Sequence, residues 1–286
     1  MTSRVSVLVG LLVAALGALW WVQEPAPVER TPALVGADAH LDVEYGNHEF
    51  QRLDVYTPDS PGPHPTIVWL HPGGWIAGDK AASMPVWEWT ERGYAVVSIN
   101  YRYAIHPHTV ADSVDDALAA VQHVLDRSGE WDLDASRVGV YGFSAGGHLA
   151  AMIAHEQLDV AAVAIAGAPT DFTALLDPDV RFFDGRTGAA VVAAARDLLG
   201  CQERIDTCHG LAVSASPAQL SGDSVDFLIV HGALDHIVDV DQAYRLHHHL
   251  VASGHTPELV IVEDGGHEPL VDEAGIAEFF DERLLS

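Results

Sequence analysis

RVGVYGFSAGGHLAAMIAHE, residues 137–156, is the stretch whose reading decides the fold of this chain. Arg137 to Tyr141 is apolar and β-branched enough to form a buried strand, and Gly147 to Glu156 is alanine-rich enough to form a helix. Between them lies Gly142-Phe143-Ser144-Ala145-Gly146-Gly147. A strand, a sharp glycine-flanked turn carrying a serine, and then a helix is the setting of a nucleophile elbow. The serine of such a turn is strained, and side chains two positions away on either side would collide.

Working outward, short apolar runs recur at Thr66–Leu70, Tyr94–Ile99, Val138–Tyr141, Val160–Ala166, Phe227–Val230 and Leu259–Val262. Runs of this kind are expected for strands buried on both faces of a parallel sheet. Leu41–Tyr45 and Phe50–Tyr56 alternate in polarity and read as an exposed antiparallel pair. Helical periods separate the strands: Val110, Val114, Ala117, Leu118, Val121 and Leu125 share one face, and Val240–Val251 and Ile276–Leu284 behave alike. The layers predict an α/β fold, a mostly parallel, doubly wound sheet of about eight strands. Thr170–Pro217, with Phe172, Phe182, Phe183, a helix near Ala189–Leu199 and both cysteines, interrupts the rhythm. It reads either as a small cap insertion or as a decorated connection.

In such sheets ligands bind beyond the carboxyl ends of the strands, where Ser144 falls. A serine hydroxyl needs a base to take its proton and an acid to orient that base. Past Phe227–Val230 comes HGALDHIV, residues 231–238, and past Leu259–Val262 comes EDGGHE, residues 263–268. Asp235 is the candidate acid and His267 the candidate base. His231 and His236 share the acid's own loop, which leaves no separate residue to orient them. His247, His248 and His249 fall in a helix, as do Asp239 and Asp241, while Asp171 follows the neighbouring strand. The third requirement is a set of donors for a developing oxyanion. Past Thr66–Leu70 comes His71-Pro72-Gly73-Gly74-Trp75, in which Gly73 and Gly74 can donate and Pro72 has no N–H. The N–H of Ala145, next to the serine, completes the set. Trp75, Phe143 and Ile237 are candidate pocket residues.

These residues together resemble the hormone-sensitive-lipase-like carboxylesterases of the α/β-hydrolase superfamily. The nearer likeness is to the bacterial branch with feruloyl and acetyl-xylan esterase-like proteins. The likeness runs from about Leu41 to the end and includes HPGGW with Gly78-Asp79-Lys80 after it, Asn100-Tyr101-Arg102-Tyr103, GFSAGGHLAA, Ala215-Ser216-Pro217 and HGALDHIV followed by DGGH. The order Ser144, Asp235, His267 is that superfamily's order. Two departures stand out: HPGG replaces the usual HGGG, and Phe143 stands where many relatives carry an acid. The resemblance implies an α/β-hydrolase fold and two-step acyl transfer to water from a small-molecule, short-acyl or carbohydrate-linked ester. It implies no metal and no cofactor, and the histidines show no H-E-x-x-H spacing. An amidase, formamidase or peptidase on the same residues, and a non-catalytic binding domain, are the alternatives.

Composition bounds the partners. Among 286 residues, 41 acidic side chains against 14 basic ones give a net charge of −27, and Lys80 is the sole lysine. Such a field repels phosphate backbones, which argues against a nucleic-acid partner. After Arg4 the run Val5–Val22 is uncharged and contains Trp20-Trp21. As a helix it would cover about 27 Å, close to the hydrocarbon thickness of a bilayer. Residues 1–23 therefore read as a membrane anchor or as a cleavable signal, with Ala15 and Gly17 before a cut at Ala18. Either reading puts the body outside the cytoplasm, with contact to a membrane only through that segment. Residues 24–36, with Pro25, Pro27 and Pro32, read as an extended linker to a catalytic domain over 37–286. Cys201 and Cys208 are either a disulfide, worth at most about 2.5 kcal/mol for so short a loop, or two free thiols.

Overall fold

The computed structural model describes residues 37–81, 86–156, 158–177, 188–202, 205–220, 225–268 and 275–285. The apolar run at 5–22, the linker at 24–36, Phe182 and Phe183 lie outside the described residues. Eight strands form one sheet: β1 (Ala37–Glu44), β2 (Arg52–Pro58), β3 (His64–Leu70), β4 (Ala95–Ile99), β5 (Leu133–Phe143), β6 (Ala162–Ala166), β7 (Asp226–Gly232) and β8 (Glu258–Val262). Their spatial order is β1-β2-β4-β3-β5-β6-β7-β8, parallel from β4 onward, with β1 and β2 antiparallel.

Helices cover both faces, as apolar strands without a polar side require. On one face α1 (Val86–Glu91) and α8 (Ile276–Leu284) bring Trp89, Ile276 and Phe280 against Ile67, Trp69, Val96 and Tyr141. On the other, α2 (Val110–Arg127), α3 (Ala145–Ile153) and α7 (Asp241–Ala252) pack over the sheet, whose Val68, Val97, Val140 and Ile229 belong to that core. The short α4 (Phe172–Leu175), α5 (Gly188–Leu199) and α6 (Ile205–Ser214) pack on one another, with α5 also against α2. Glycine in β5 lets α8 sit close: a Cβ at Gly139 would stand 2.6 Å from the Phe280 ring.

Four expectations need correction. β2 is not an exposed strand: Leu53 and Val55 are fully buried because β2 pairs with β4 inside the sheet, leaving β1 as the exposed edge. β8 is not buried on both faces; it is the opposite edge, and its residues are half-buried or exposed. α2 is rotated from the expected apolar face, so that Ser113, Asp116, Ala120 and Val124 are buried while Val114, Leu118 and Leu125 are half-buried. The cause is ionic: Asp116 is turned inward to Arg102, whose guanidinium lies 2.6 Å away, and to the Gln51 amide at 2.7 Å. Finally, α6 forms where no helix was expected, and Cys208 on it is joined to Cys201 in a disulfide with Cα atoms 5.4 Å apart. Both cysteines are buried in the main core. Among the described residues no helix is long and apolar enough to cross a membrane.

The parallel register decides where side chains can meet. Leu70 lies beside Gly142, Phe143 beside Ala166, Ala166 beside Val230, and Gly232 beside Val262. The loops after β3, β5, β7 and β8 therefore emerge along one rim of the sheet.

Candidate active site

Ser144 follows β5 directly and caps α3, with φ 55° and ψ −120°. A non-glycine residue in this region is strained and persists only where its surroundings over-determine it. Here they do. Ser144 N–H donates to Ala166 O at 2.9 Å, and the His148 N–H donates to Ser144 O at 3.0 Å. The flanking glycines are compulsory, since a Cβ at Gly142 would lie 2.1 Å from Gly146 O and one at Gly146 would lie 1.9 Å from Leu70 O. Gly146→Ala is expected to cost about 1–3 kcal/mol, the range for overpacking against atoms that cannot yield. Equal denaturant midpoints for the variant and the wild type would contradict this.

The turn presents the Ser144 hydroxyl to His267. Nε2 of His267 lies 3.0 Å from Ser144 Oγ, and its Nδ1 lies 2.6 Å from Asp235 Oδ2. An ionised carboxylate only accepts, so Nδ1 carries the proton and Nε2 is left to accept from the serine. The His267 ring is confined by Phe143, with ring centroids 4.9 Å apart, and by Gly167, where a Cβ would stand 3.3 Å from Nδ1.

Asp235 is fixed from every side. Its Oδ1 accepts from Ile237 N and Val238 N, each at 2.8 Å. Its Oδ2 faces His267 and, at 3.3 Å, Nε2 of His231, which also reaches Val238 O at 3.0 Å. Burial alone would raise the Asp235 carboxyl, but the hydrogen bonds from His231 and His267 prevail and hold it well below the usual carboxylate range. The acid and histidine loops are also joined backbone to backbone. Ala233 N donates to Val262 O at 2.8 Å and Leu234 N to Gly265 O at 2.9 Å, while a Cβ at Gly232 would lie 2.3 Å from Gly266 O.

His231 is the residue that sequence reasoning passed over. Sharing a loop with the acid looked disqualifying, yet the turn brings it back onto the carboxylate from behind. The spacing H-G-x-x-D, with glycine where the two loops touch, was the available signal. Asp171, the rival acid, caps α4 through Thr173 N at 3.0 Å and pairs with Arg245 at 3.3 Å.

The loop after β3 turns through two glycines in the left-handed half of φ space, Gly73 at 134° and Gly74 at 62°. Gly73 O accepts from Ile76 N and Ala77 N, both at 3.1 Å. A Cβ at Gly74 would meet nothing within 4 Å, so this backbone borders open space. Ala145 begins α3, and its N–H belongs to the first turn, where no intrahelical acceptor exists. Lys80 anchors the far end of the loop, its ammonium between Asp54 at 2.7 Å and Asp42 at 2.8 Å. His71 anchors the near end, bonded through Nδ1 to Pro72 O at 2.8 Å and stacked on Tyr101. Burial lowers His71 to about 4.

The candidate pocket residues part company. Trp75 (5 % exposed) and Phe143 (2 % exposed) belong to the packed interior rather than to an open pocket wall, because each has an aromatic or imidazole neighbour that covers it. Ile237, 39 % exposed, stands at the rim two positions after the acid. Among the described residues no group of side chains could hold a metal ion.

Comparison with known proteins bears on the family and the fold. The BD-FAE family model matches residues 53–250. Esterase LipC of Mycobacterium tuberculosis is 31% identical over 241 residues, which cover 78% of this chain and 59% of that protein's length. Among solved structures, esterase B from Lactobacillus rhamnosis aligns with a TM-score of 0.76 at 19% identity, over 99% of this chain and 96% of that one. A truncated carbohydrate esterase from gut microbiota aligns at 0.70 and 22% identity, over 88% and 98%. At these identities the structures speak for the fold alone. The chain belongs to the BD-FAE family, and its fold is that of the α/β-hydrolases.

Proposed function

We propose that this protein is a serine carboxylic-ester hydrolase acting on small, short-acyl or carbohydrate-linked esters. The observation that carries the reading is the hydrogen-bonded line from Ser144 Oγ through both nitrogens of His267 to Asp235 Oδ2. Ser144 Oγ attacks the ester carbonyl while His267 Nε2 takes its proton, and Asp235 stabilises the imidazolium that forms. The carbonyl oxygen becomes an oxyanion, which the N–H groups of Gly73, Gly74 and Ala145 receive. Collapse of the tetrahedral intermediate breaks the C–O bond to the alcohol, which leaves with the proton from His267. Water then repeats the sequence on the acyl-serine and frees the acid. The name of the relative LipC supports ester hydrolysis. The disulfide between Cys201 and Cys208 supports a site of action outside the cytoplasm.

The test is hydrolysis of p-nitrophenyl acetate and butyrate by the full chain beside Ser144→Ala. Loss of the nucleophile is expected to lower kcat on the order of 10⁴-fold or more. A variant that keeps the wild-type rate would overturn the assignment. An acyl-length series with acetylated xylan and methyl ferulate then defines the substrate, and a faster matched anilide would favour amide hydrolysis.

A further inference from the structure

His148 lies in α3, four residues after Ser144, with no exposed surface. Both ring nitrogens are engaged. Nδ1 accepts from the Trp75 indole N–H at 3.2 Å, and Nε2 lies 2.9 Å from Ala215 O. An indole N–H only donates and a carbonyl only accepts, so His148 is locked as one tautomer, with its proton on Nε2. Neither contact belongs to the proton transfers above.

What the ring holds is the loop of Gly73 and Gly74. Trp75 follows directly, with φ 61°, a second non-glycine residue in left-handed backbone near the serine. That conformation costs roughly 1–2 kcal/mol and does not maintain itself. Two groups hold it: the Ala104 N–H on the Trp75 carbonyl at 2.6 Å, and His148 on the indole. Phe172 closes the cluster, its ring centroid 5.4 Å from that of Trp75 and 5.2 Å from that of His148. Relaxing Trp75 would swing the Gly74 peptide. The remaining donor, Ala145, opens the helix that carries His148.

We infer that His148 is a positioning residue that sets the spacing of the oxyanion donors, tying Gly73 and Gly74 through Trp75 to the helix that begins at Ala145. The inference deepens the esterase reading and rests on it. Oxyanion stabilisation depends on donors fixed before the charge develops, and a displacement of an ångström is enough to lose much of it.

Three variants of the full chain test the bracket with p-nitrophenyl acetate. Trp75→Phe keeps the ring packing and removes the N–H. His148→Gln keeps a donor where Nε2–H stands and loses the acceptor at Nδ1, whereas His148→Asn keeps an acceptor near Nδ1. Trp75→Phe and His148→Gln are each expected to lower kcat about 10- to 100-fold with KM within about twofold, and to weaken an aryl boronic acid in parallel. The double variant is expected to lose no more than either single one, because both remove the same contact. His148→Asn is expected to recover most of the loss. Wild-type kcat in Trp75→Phe, a loss in KM alone, or additive losses would each overturn the inference. If turnover survives Ser144→Ala, the esterase reading fails instead, and solvent exchange of the Trp75 indole N–H then judges the bracket. Exchange at least about tenfold faster in His148→Gln supports it, and an unchanged rate refutes it.

Discussion

Replacing Asp235 by asparagine is expected to lower kcat for ester hydrolysis about 10⁴-fold with the fold intact. The direction follows from which oxygen is held. Ile237 N and Val238 N both donate to Oδ1 at 2.8 Å, so the asparagine oxygen must occupy that position. Its NH2 then falls where Oδ2 was, facing Nδ1 of His267 and Nε2 of His231. An amide NH2 only donates, so His267 would move its proton to Nε2 and could no longer accept from Ser144. The same geometry that fixes the carboxylate forbids the amide from flipping to a harmless orientation. A variant within tenfold of the wild type in kcat, with an unchanged melting temperature, would show that Asp235 does not set the tautomer.

The second large effect is on stability at mildly acid pH. His71 and His148 are buried, and burial lowers each from 6.5 to about 4. Above pH 7 they are neutral whether the chain is folded or not, and stability is insensitive to them. As pH falls from 6.5 toward 4 the unfolded chain binds protons at these positions that the folded chain refuses, so the unfolded state gains. A displacement of this size amounts to about 3 kcal/mol per histidine at the bottom of the window. His155, lowered to about 4 chiefly by burial and then by His249 and His255, acts in the same direction. Against a typical total stability of about 5–15 kcal/mol, two such effects remove about a third of it or more as pH approaches 4. The carboxylates held low, Asp235 among them, begin to matter only below that window. Urea midpoints between pH 8 and pH 4.5 check this: a steep fall below pH 6.5 is expected, and a flat profile down to pH 5 would contradict it.

What was legible in the sequence was local and periodic. The run 137–156 reads correctly as strand, turn and helix because its glycines, apolar run and alanines each act on their own neighbours. Ser144, Asp235 and His267 could be singled out because each lies in the turn or loop that follows an apolar strand, and parallel strands deliver their ends to one rim. Apart from the unexpected α6, the failures are non-local. β2 has an alternating pattern but is buried by its pairing with β4, and β8 is as apolar as its neighbours yet ends the sheet. The face of α2 was misjudged because Asp116 pays for its burial through Arg102 and Gln51, partners distant in the chain. His231 and His148 escaped for a similar reason, since nothing in a histidine's neighbours in sequence says which atoms its two nitrogens will meet.

The proposed chemistry requires His267 and Asp235 to make the Ser144 oxygen nucleophilic. Treating the full chain with a fluorophosphonate and mapping the adduct by mass spectrometry reads that property directly. Nucleophilic attack forms an O–P bond at serine and expels fluoride. One adduct per chain, on the peptide carrying Ser144 and lost in His267→Ala, is the predicted result. No adduct on folded protein, or labelling of Ser144 that is as fast without His267, would contradict it.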